Sequence, residues 1–179
     1  MATTWFRNTD RRHPFLWETG DQPPARWHGE GEGPVQYLAS TPDGAWAEFL
    51  RREEITDAAD LAGIERALWA VEVDPADEIV RVPRLGRAVL TGGVDSYPAC
   101  RSEARRLRSR GATALLAPSA ALEAGGARGQ QVAGGLTDAP DEDGRVLALL
   151  GARPGLRGWA CCFPGRPGAR VLELVRPLS

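Results

Sequence analysis

The stretch Gly33-Pro34-Val35-Gln36-Tyr37-Leu38-Ala39 is rich in β-forming residues and is followed at once by Ser40-Thr41-Pro42. A short apolar run bounded by such turn-forming residues predicts a buried strand over 34–39. The Thr41 hydroxyl can accept a hydrogen bond from the first turn of a helix, and proline is favoured at the first helical position. The sequence therefore predicts a strand that passes directly into a helix.

The predicted helix runs over 42–54. Trp46, Phe49 and Leu50 have the i, i+3, i+4 spacing that places apolar side chains on one helix face. Glu48 lies away from this face on the helical wheel, so it is not expected in the core.

Similar patterns in the rest of the chain predict more strands than helices. An α+β fold with mostly antiparallel sheets follows from this ratio. A length of 179 residues fits one domain, 1–179. The long loop over 8–33 contains Trp17, Trp27 and both histidines, which indicates an ordered, functional loop. The other predicted elements are strands at 5–7, 68–73, 79–82, 113–117, 145–150, 158–163 and 169–175, a helix at 97–110, and a short strand at 130–133 within a flexible connection from 123 to 144.

The composition excludes several classes of protein. The hydrophobic fraction of 42% argues against disorder, and the net charge of −2 argues against a general polyanion binder. No apolar run is long enough to span a bilayer and the N-terminus lacks a signal-peptide core, so we expect a cytoplasmic protein without a membrane partner.

The residue types also limit the chemistry. All 22 basic residues are arginines, so Schiff-base chemistry and a Walker-type phosphate loop have no lysine. Only His13 and His28 are available as histidines, and no metal site is expected. The three cysteines form neither a disulfide framework nor a zinc pattern, so Cys100, Cys161 and Cys162 are predicted to be small buried apolar side chains.

Four short motifs occur in a characteristic order. These are Arg26-Trp27-His28, the strand ending in Tyr37-Leu38-Ala39, Ala47-Glu48-Phe49 on the capped helix, and Pro118-Ser119-Ala120. Together they resemble the RES domain, a family named for an arginine, a glutamate and a serine. The resemblance covers most of the chain, from about Trp5 to Leu122.

The resemblance implies a fold similar to ADP-ribosyltransferases and an activity that degrades NAD, which is a substrate and not a bound cofactor. It implies that Glu48, Arg26 and Tyr37 are catalytic. Glu48 would stabilise positive charge on the ribose, since a carboxylate favours an oxocarbenium-like transition state. Arg26 would hold the pyrophosphate and Tyr37 would pack on the nicotinamide nucleoside. The substrate-binding candidates are Arg26, Tyr37, Ser119, Arg7 and His28.

The resemblance also implies partners. RES proteins of bacteria are commonly the toxins of toxin–antitoxin pairs, so an antitoxin of the Xre helix-turn-helix type is expected, and a homo-oligomer is possible. Direct nucleic-acid binding is not expected, because the arginines of the second helix are more simply a solvated face. An acidic partner could use that face.

The residues alone leave simpler interpretations open. Glu48 could be an exposed helix glutamate, Arg26 a surface ion-pair partner, Tyr37 a core residue and Ser119 a turn residue. The chain also departs from the family pattern, with His28 in place of a common asparagine and with an altered segment after Ala120. The alternative function is therefore a catalytically inactive RES-like module that binds a nucleotide or a protein.

Overall fold

The structure is a computed structural model and describes residues 1–13, 15 and 22–178. Trp17, which the sequence places in a functional loop, lies outside the described residues. The strands are β1 (Thr3–Asp10), β2 (Val35–Ala39), β3 (Arg66–Val73), β4 (Val80–Arg81), β5 (Ala114–Pro118), β6 (Gln130–Val132), β7 (Leu136–Asp138), β8 (Arg145–Leu150) and β9 (Arg157–Gly165), and the α-helices are α1 (Pro42–Arg52), α2 (Arg87–Thr91) and α3 (Tyr97–Arg108).

Seven of these strands form one sheet in the order β4-β5-β8-β2-β1-β3-β9. Every neighbouring pair in it is antiparallel except β4 and β5, which are parallel. Strands β6 and β7 form a separate hairpin that turns through Gly134 and Gly135, both at positive φ. The predicted α+β fold with mostly antiparallel sheets is confirmed.

Helix α1 begins as the sequence predicts. The Thr41 side chain accepts a hydrogen bond from the Gly44 N–H at 3.1 Å, and Pro42 occupies the first turn, where it has no N–H to leave unsatisfied. Trp46 and Leu50 are buried in a core cluster with Leu122 and Val171. The helix therefore packs its apolar face between the sheet and the C-terminal segment.

Strand β2 lies in the middle of the large sheet and is the element around which the core forms. Val35 packs in the cluster that includes Cys100 and Leu107 of α3, whereas Leu38 packs on the opposite face with Val71 and Leu149. Alternate side chains of a strand point to opposite faces, so the sheet is covered on both sides here.

Several predictions are wrong. Residues 169–175 do not form a strand, because Ala169–Leu174 is a 3₁₀ helix that buries Val171 and Leu174. The cysteine prediction holds only for Cys100, since Cys161 and Cys162 are exposed on β9, the edge strand. The sequence reading also missed α2 and β7, and it ended the first strand at residue 7 although β1 pairs with β3 as far as Asp10.

No helix in the described ranges is both long enough and apolar enough to cross a membrane.

A buried ion pair fastens the loop after β8 to the sheet. Both side-chain oxygens of Glu78 accept hydrogen bonds from Arg153, at 2.7 and 2.9 Å, and one also accepts from the Thr113 hydroxyl. The Glu78 side chain is only 5% exposed. Removal of the guanidinium would therefore leave a charge with little access to water.

We predict that Arg153→Ala lowers the free energy of unfolding by about 3 kcal/mol, because it leaves the buried Glu78 carboxylate unpaired. The matched control is Arg157→Ala, which removes an exposed ion pair with Glu72 and should cost less than about 1 kcal/mol. Urea unfolding of both variants measures the difference. Equal losses would contradict the assigned role of the Glu78 pair.

Candidate functional site

A cavity of about 450 Å³ lies between the sheet, α1 and the residues that precede β2. Its volume falls within the roughly 300–1,000 Å³ that is usual for small-molecule sites. Five of the residues that line it are Arg7, Arg26, Tyr37, Glu48 and Arg51. Four of the predicted site residues therefore meet at one cavity, namely Arg7, Arg26, Tyr37 and Glu48.

Strand register explains why residues distant in the sequence meet here. Val146 of β8 pairs with Ala39 on one side and with Ala117 on the other, so β2 and β5 end side by side. Phe6 of β1 pairs with Ala39 as well. Helix α1, which follows β2, and the turn that follows β5 therefore start at the same end of the sheet.

Glu48 is half-buried on α1 and its carboxylate faces this cavity. The Ser119 hydroxyl donates to Glu48 Oε1 at 2.9 Å. Burial raises the pKa of Glu48 above the usual value for glutamate, and the Ser119 hydrogen bond and the charges of Arg51 and Arg26 only partly oppose this shift. A cation bound beside this carboxylate would favour its charged form.

Ser119 is buried and does not line the cavity. Its hydroxyl oxygen accepts hydrogen bonds from the backbone N–H groups of Ala121 and Leu122, both at 3.2 Å. Because these N–H groups occupy the lone pairs, the hydroxyl proton is directed at Glu48. The structure thus places Ser119 behind the carboxylate, where it orients Glu48.

Arg26 is buried at one side of the cavity, and its guanidinium is largely occupied by the protein. Nη2 donates to the Gly92 carbonyl at 2.6 Å, while Nη1 donates to the Val89 carbonyl and to the Ser96 hydroxyl. The guanidinium also lies over the Tyr97 ring, 4.8 Å from its centroid. These contacts fasten the segment between α2 and α3 to the cavity wall.

Arg7 presents the opposite situation on β1. Its Nε and Nη1 atoms are buried and have no hydrogen-bond partner among the described residues. Burial, and after it the charge of Arg52, lower the pKa of Arg7 to about 10. The side chain is therefore still charged at neutral pH, with two donors free to bind an anion.

Tyr37 is half-buried and lines the cavity, whereas His28 is fully buried behind it. The Tyr37 hydroxyl is 2.9 Å from His28 Nδ1 and accepts a hydrogen bond from the Trp27 N–H at 3.0 Å. Burial raises the pKa of Tyr37 well above its usual value, so the hydroxyl keeps its proton. The structure brings His28 to Tyr37, not to the cavity surface.

Three arginines of α3 bind residues 25–32, the segment that contains Arg26 and His28. Arg101 donates to the Ala25 carbonyl and Arg108 to the Glu32 carbonyl, both at 2.8 Å. Arg105 pairs with the Glu32 side chain, which also accepts from the Gly29 N–H. This use of the helix differs from the solvated face expected from the sequence, because three of its arginines bind the protein itself.

The sequence reading missed some residues of the cavity. Arg51 lies one turn after Glu48 on α1, where its guanidinium donates to the carbonyls of Gly92 and Pro177. The i, i+3 spacing from Glu48 is a signal that could have identified it. Arg52 and Phe49 line the cavity too.

Within the described residues, no group of three or more histidine, cysteine or acidic side chains could hold a metal ion.

We predict that Glu48→Gln raises the free energy of unfolding at neutral pH. The folded-state pKa of Glu48 is raised, so proton binding favours the folded protein and the wild type loses stability as the pH rises through that pKa. The difference between the two proteins should shrink as the pH falls towards about 4, where the unfolded glutamate also takes up its proton. Urea unfolding across this range measures it.

The matched control is Glu30→Gln, since Glu30 is exposed outside the cavity. It should leave stability nearly unchanged at every pH. A Glu48→Gln variant that is less stable than the wild type at neutral pH would contradict the assignment of Glu48 as an incompletely compensated anion.

The chain is similar to known proteins in sequence and in fold. The RES domain family matches residues 2–135. Among solved structures, the MbcT toxin in the M. tuberculosis MbcT–MbcA toxin–antitoxin complex is similar, with a TM-score of 0.62 and 18% identity over 97% of this chain and 89% of that one. At this identity the likeness shows a shared fold. No curated protein sequence matches the chain. Since the family match covers well over half of the residues, the chain belongs to the RES domain family.

Proposed function

We propose that this protein is an enzyme that cleaves the bond between nicotinamide and ribose in NAD. The observation that carries the proposal is a cavity that combines a partly compensated carboxylate, Glu48, with a buried guanidinium, Arg7. Two nitrogens of this guanidinium have no hydrogen-bond partner in the described part of the chain. The nicotinamide nucleoside of NAD is cationic and its pyrophosphate is anionic. One substrate thus supplies the partner that each of these groups lacks.

In this mechanism the C1′–N bond breaks and its electron pair leaves with nicotinamide. Positive charge then develops on the ribose, and Glu48 stabilises it electrostatically. An acceptor adds to C1′ and, if it is water, releases one proton. The acceptor can be water, phosphate or a protein group. Ser119 holds the carboxylate in position through its 2.9 Å hydrogen bond.

Arg7 is the main pyrophosphate ligand in this proposal. Its Nε and Nη1 atoms have no partner within residues 1–13, 15 and 22–178, whereas both terminal nitrogens of Arg26 already donate to the protein. A guanidinium with free donors gains a charge-assisted hydrogen bond without breaking one. Arg26 contributes its charge and orders the cavity wall, and the Tyr37 ring packs against the nicotinamide nucleoside.

The biological role in this proposal is that of the toxin of a toxin–antitoxin pair, in the cytoplasm. Membership of the RES family and the similarity in fold to a toxin support it. The proposed partner is an antitoxin of the Xre helix-turn-helix type.

Expression of the chain alone in bacteria should arrest growth, and co-expression of a neighbouring antitoxin gene should restore growth. Expression of the Glu48→Gln variant should leave growth unchanged.

We predict that the purified protein releases nicotinamide from NAD and that Glu48→Gln slows this release by about 100-fold or more in kcat, because the transition state loses a negative charge. Chromatography of the reaction mixture measures the product. Glu30→Gln should be as fast as the wild type. A Glu48→Gln protein that is fully active would remove Glu48 from the mechanism, and NAD left intact by the wild type would favour an inactive binding module.

We also predict that Arg7→Gln weakens NAD turnover by roughly tenfold to a hundredfold, mainly through KM, because the lost hydrogen bonds are made to the substrate in its ground state. The matched control is Arg11→Gln, since Arg11 pairs with Glu65 outside the cavity. Steady-state kinetics with varied NAD distinguish the two. Unchanged kinetics of Arg7→Gln would show that another group holds the pyrophosphate.

A further inference from the structure

The hydroxyl of Tyr37 is engaged on its buried side. The Trp27 N–H can only donate, and it lies 3.0 Å from the hydroxyl oxygen. The phenol must therefore accept from Trp27, and its own proton is available for His28 Nδ1, 2.9 Å away. His28 is completely buried and does not line the cavity, whereas Tyr37 does.

The contacts of His28 determine which of its nitrogens carries the proton. Nε2 lies 2.9 Å from the Pro23 carbonyl, which can only accept, so Nε2 is protonated. A neutral imidazole then has a lone pair on Nδ1, where the Tyr37 proton arrives. The ring is completely buried, and the two contacts use both of its nitrogens.

We propose that neutral His28 is a positioning residue that acts through Tyr37. By accepting the phenolic proton it turns this proton away from the cavity and fixes the ring that packs against the substrate. Tyr37 then contributes an apolar ring face and not an acid. The inference rests on the proposed NAD-cleaving function for its kinetic consequence, but the hydrogen-bond arrangement can be tested without it.

The surroundings of His28 favour the neutral form. Burial is the main cause that lowers the pKa of His28, and the charges of Arg108 and Arg101 on α3 lower it further. The Pro23 carbonyl and the Glu32 carboxylate act in the opposite direction but do not cancel the shift. Tyr37 is a further titratable neighbour, in direct contact with His28.

Protonation of His28 would reverse the arrangement. An N–H on Nδ1 would meet the Tyr37 hydroxyl, which already accepts from Trp27, and the phenolic proton would have to rotate away. An asparagine at position 28 offers an acceptor oxygen that does not titrate, whereas a leucine offers none. These two substitutions separate hydrogen bonding from packing.

The direct test is nitrogen-15 NMR of the histidine rings. The chain has only His13 and His28, so His13→Gln leaves a single histidine signal. We expect a neutral ring at neutral pH, protonated on Nε2, whose Nδ1 resonance shifts when Tyr37→Phe removes the phenol. A ring protonated on Nδ1, a charged ring, or an Nδ1 resonance that ignores Tyr37→Phe would overturn the proposal.

The kinetic test compares nicotinamide release by His28→Asn and His28→Leu. We expect His28→Leu to be slower by about fivefold to tenfold and His28→Asn to be within about twofold of the wild type. The activity of the wild type should fall at acid pH with two protonations, at Glu48 and His28, and that of His28→Asn with one. A fully active His28→Leu variant would overturn the kinetic role. So would a His28→Asn variant whose activity still falls with two protonations at acid pH.

The two tests also separate this inference from the proposed function. If the wild type releases no nicotinamide, the NAD-cleaving function fails, and the kinetic role of His28 fails with it. The NMR result still decides whether His28 holds the Tyr37 hydroxyl.

Discussion

The hydrogen bond from Ser119 to Glu48 joins the two structural junctions on which the site depends, the passage from β2 into α1 and the turn after β5. A carboxylate removed from water needs donors. The N–H groups of Ala121 and Leu122 donate to the Ser119 oxygen and so direct its hydroxyl proton to Glu48. The compensation is incomplete, since burial still raises the pKa of Glu48. A site of this kind retains affinity for a cation.

The segment after Ala120 is well integrated in the fold. Leu122 is buried in the core with Trp46, and the Ala121 carbonyl accepts a hydrogen bond from the Arg176 N–H at 2.6 Å. The Glu123 N–H donates to the Leu174 carbonyl in the same way. These contacts fasten the C-terminal residues beneath α1 and hold in place the turn that orients Glu48.

Arginine has two distinct uses around the cavity. Arg26 and Arg51 both donate to the Gly92 carbonyl in the segment between α2 and α3. A planar guanidinium with five N–H groups suits this task, because one side chain can bridge two segments. Arg7 lies on a regular strand, and its buried Nε and Nη1 atoms have no hydrogen-bond partner among the described residues. The difference between these arginines comes from what surrounds each of them.

The sequence alone was sufficient for features that depend on neighbouring residues. The strand at β2, the cap of α1 by Thr41, most of α3 and the mixed α and β class follow from local propensity, capping and periodicity, and the motif order indicated the RES family. Only the tertiary structure decided that residues 169–174 form a 3₁₀ helix and not a strand. It also decided that Cys161 and Cys162 lie on an exposed edge strand and that β7 pairs with β6. It decided the partners of Arg26 and His28 as well, because hydrogen bonds between residues far apart in the chain depend on how the segments pack.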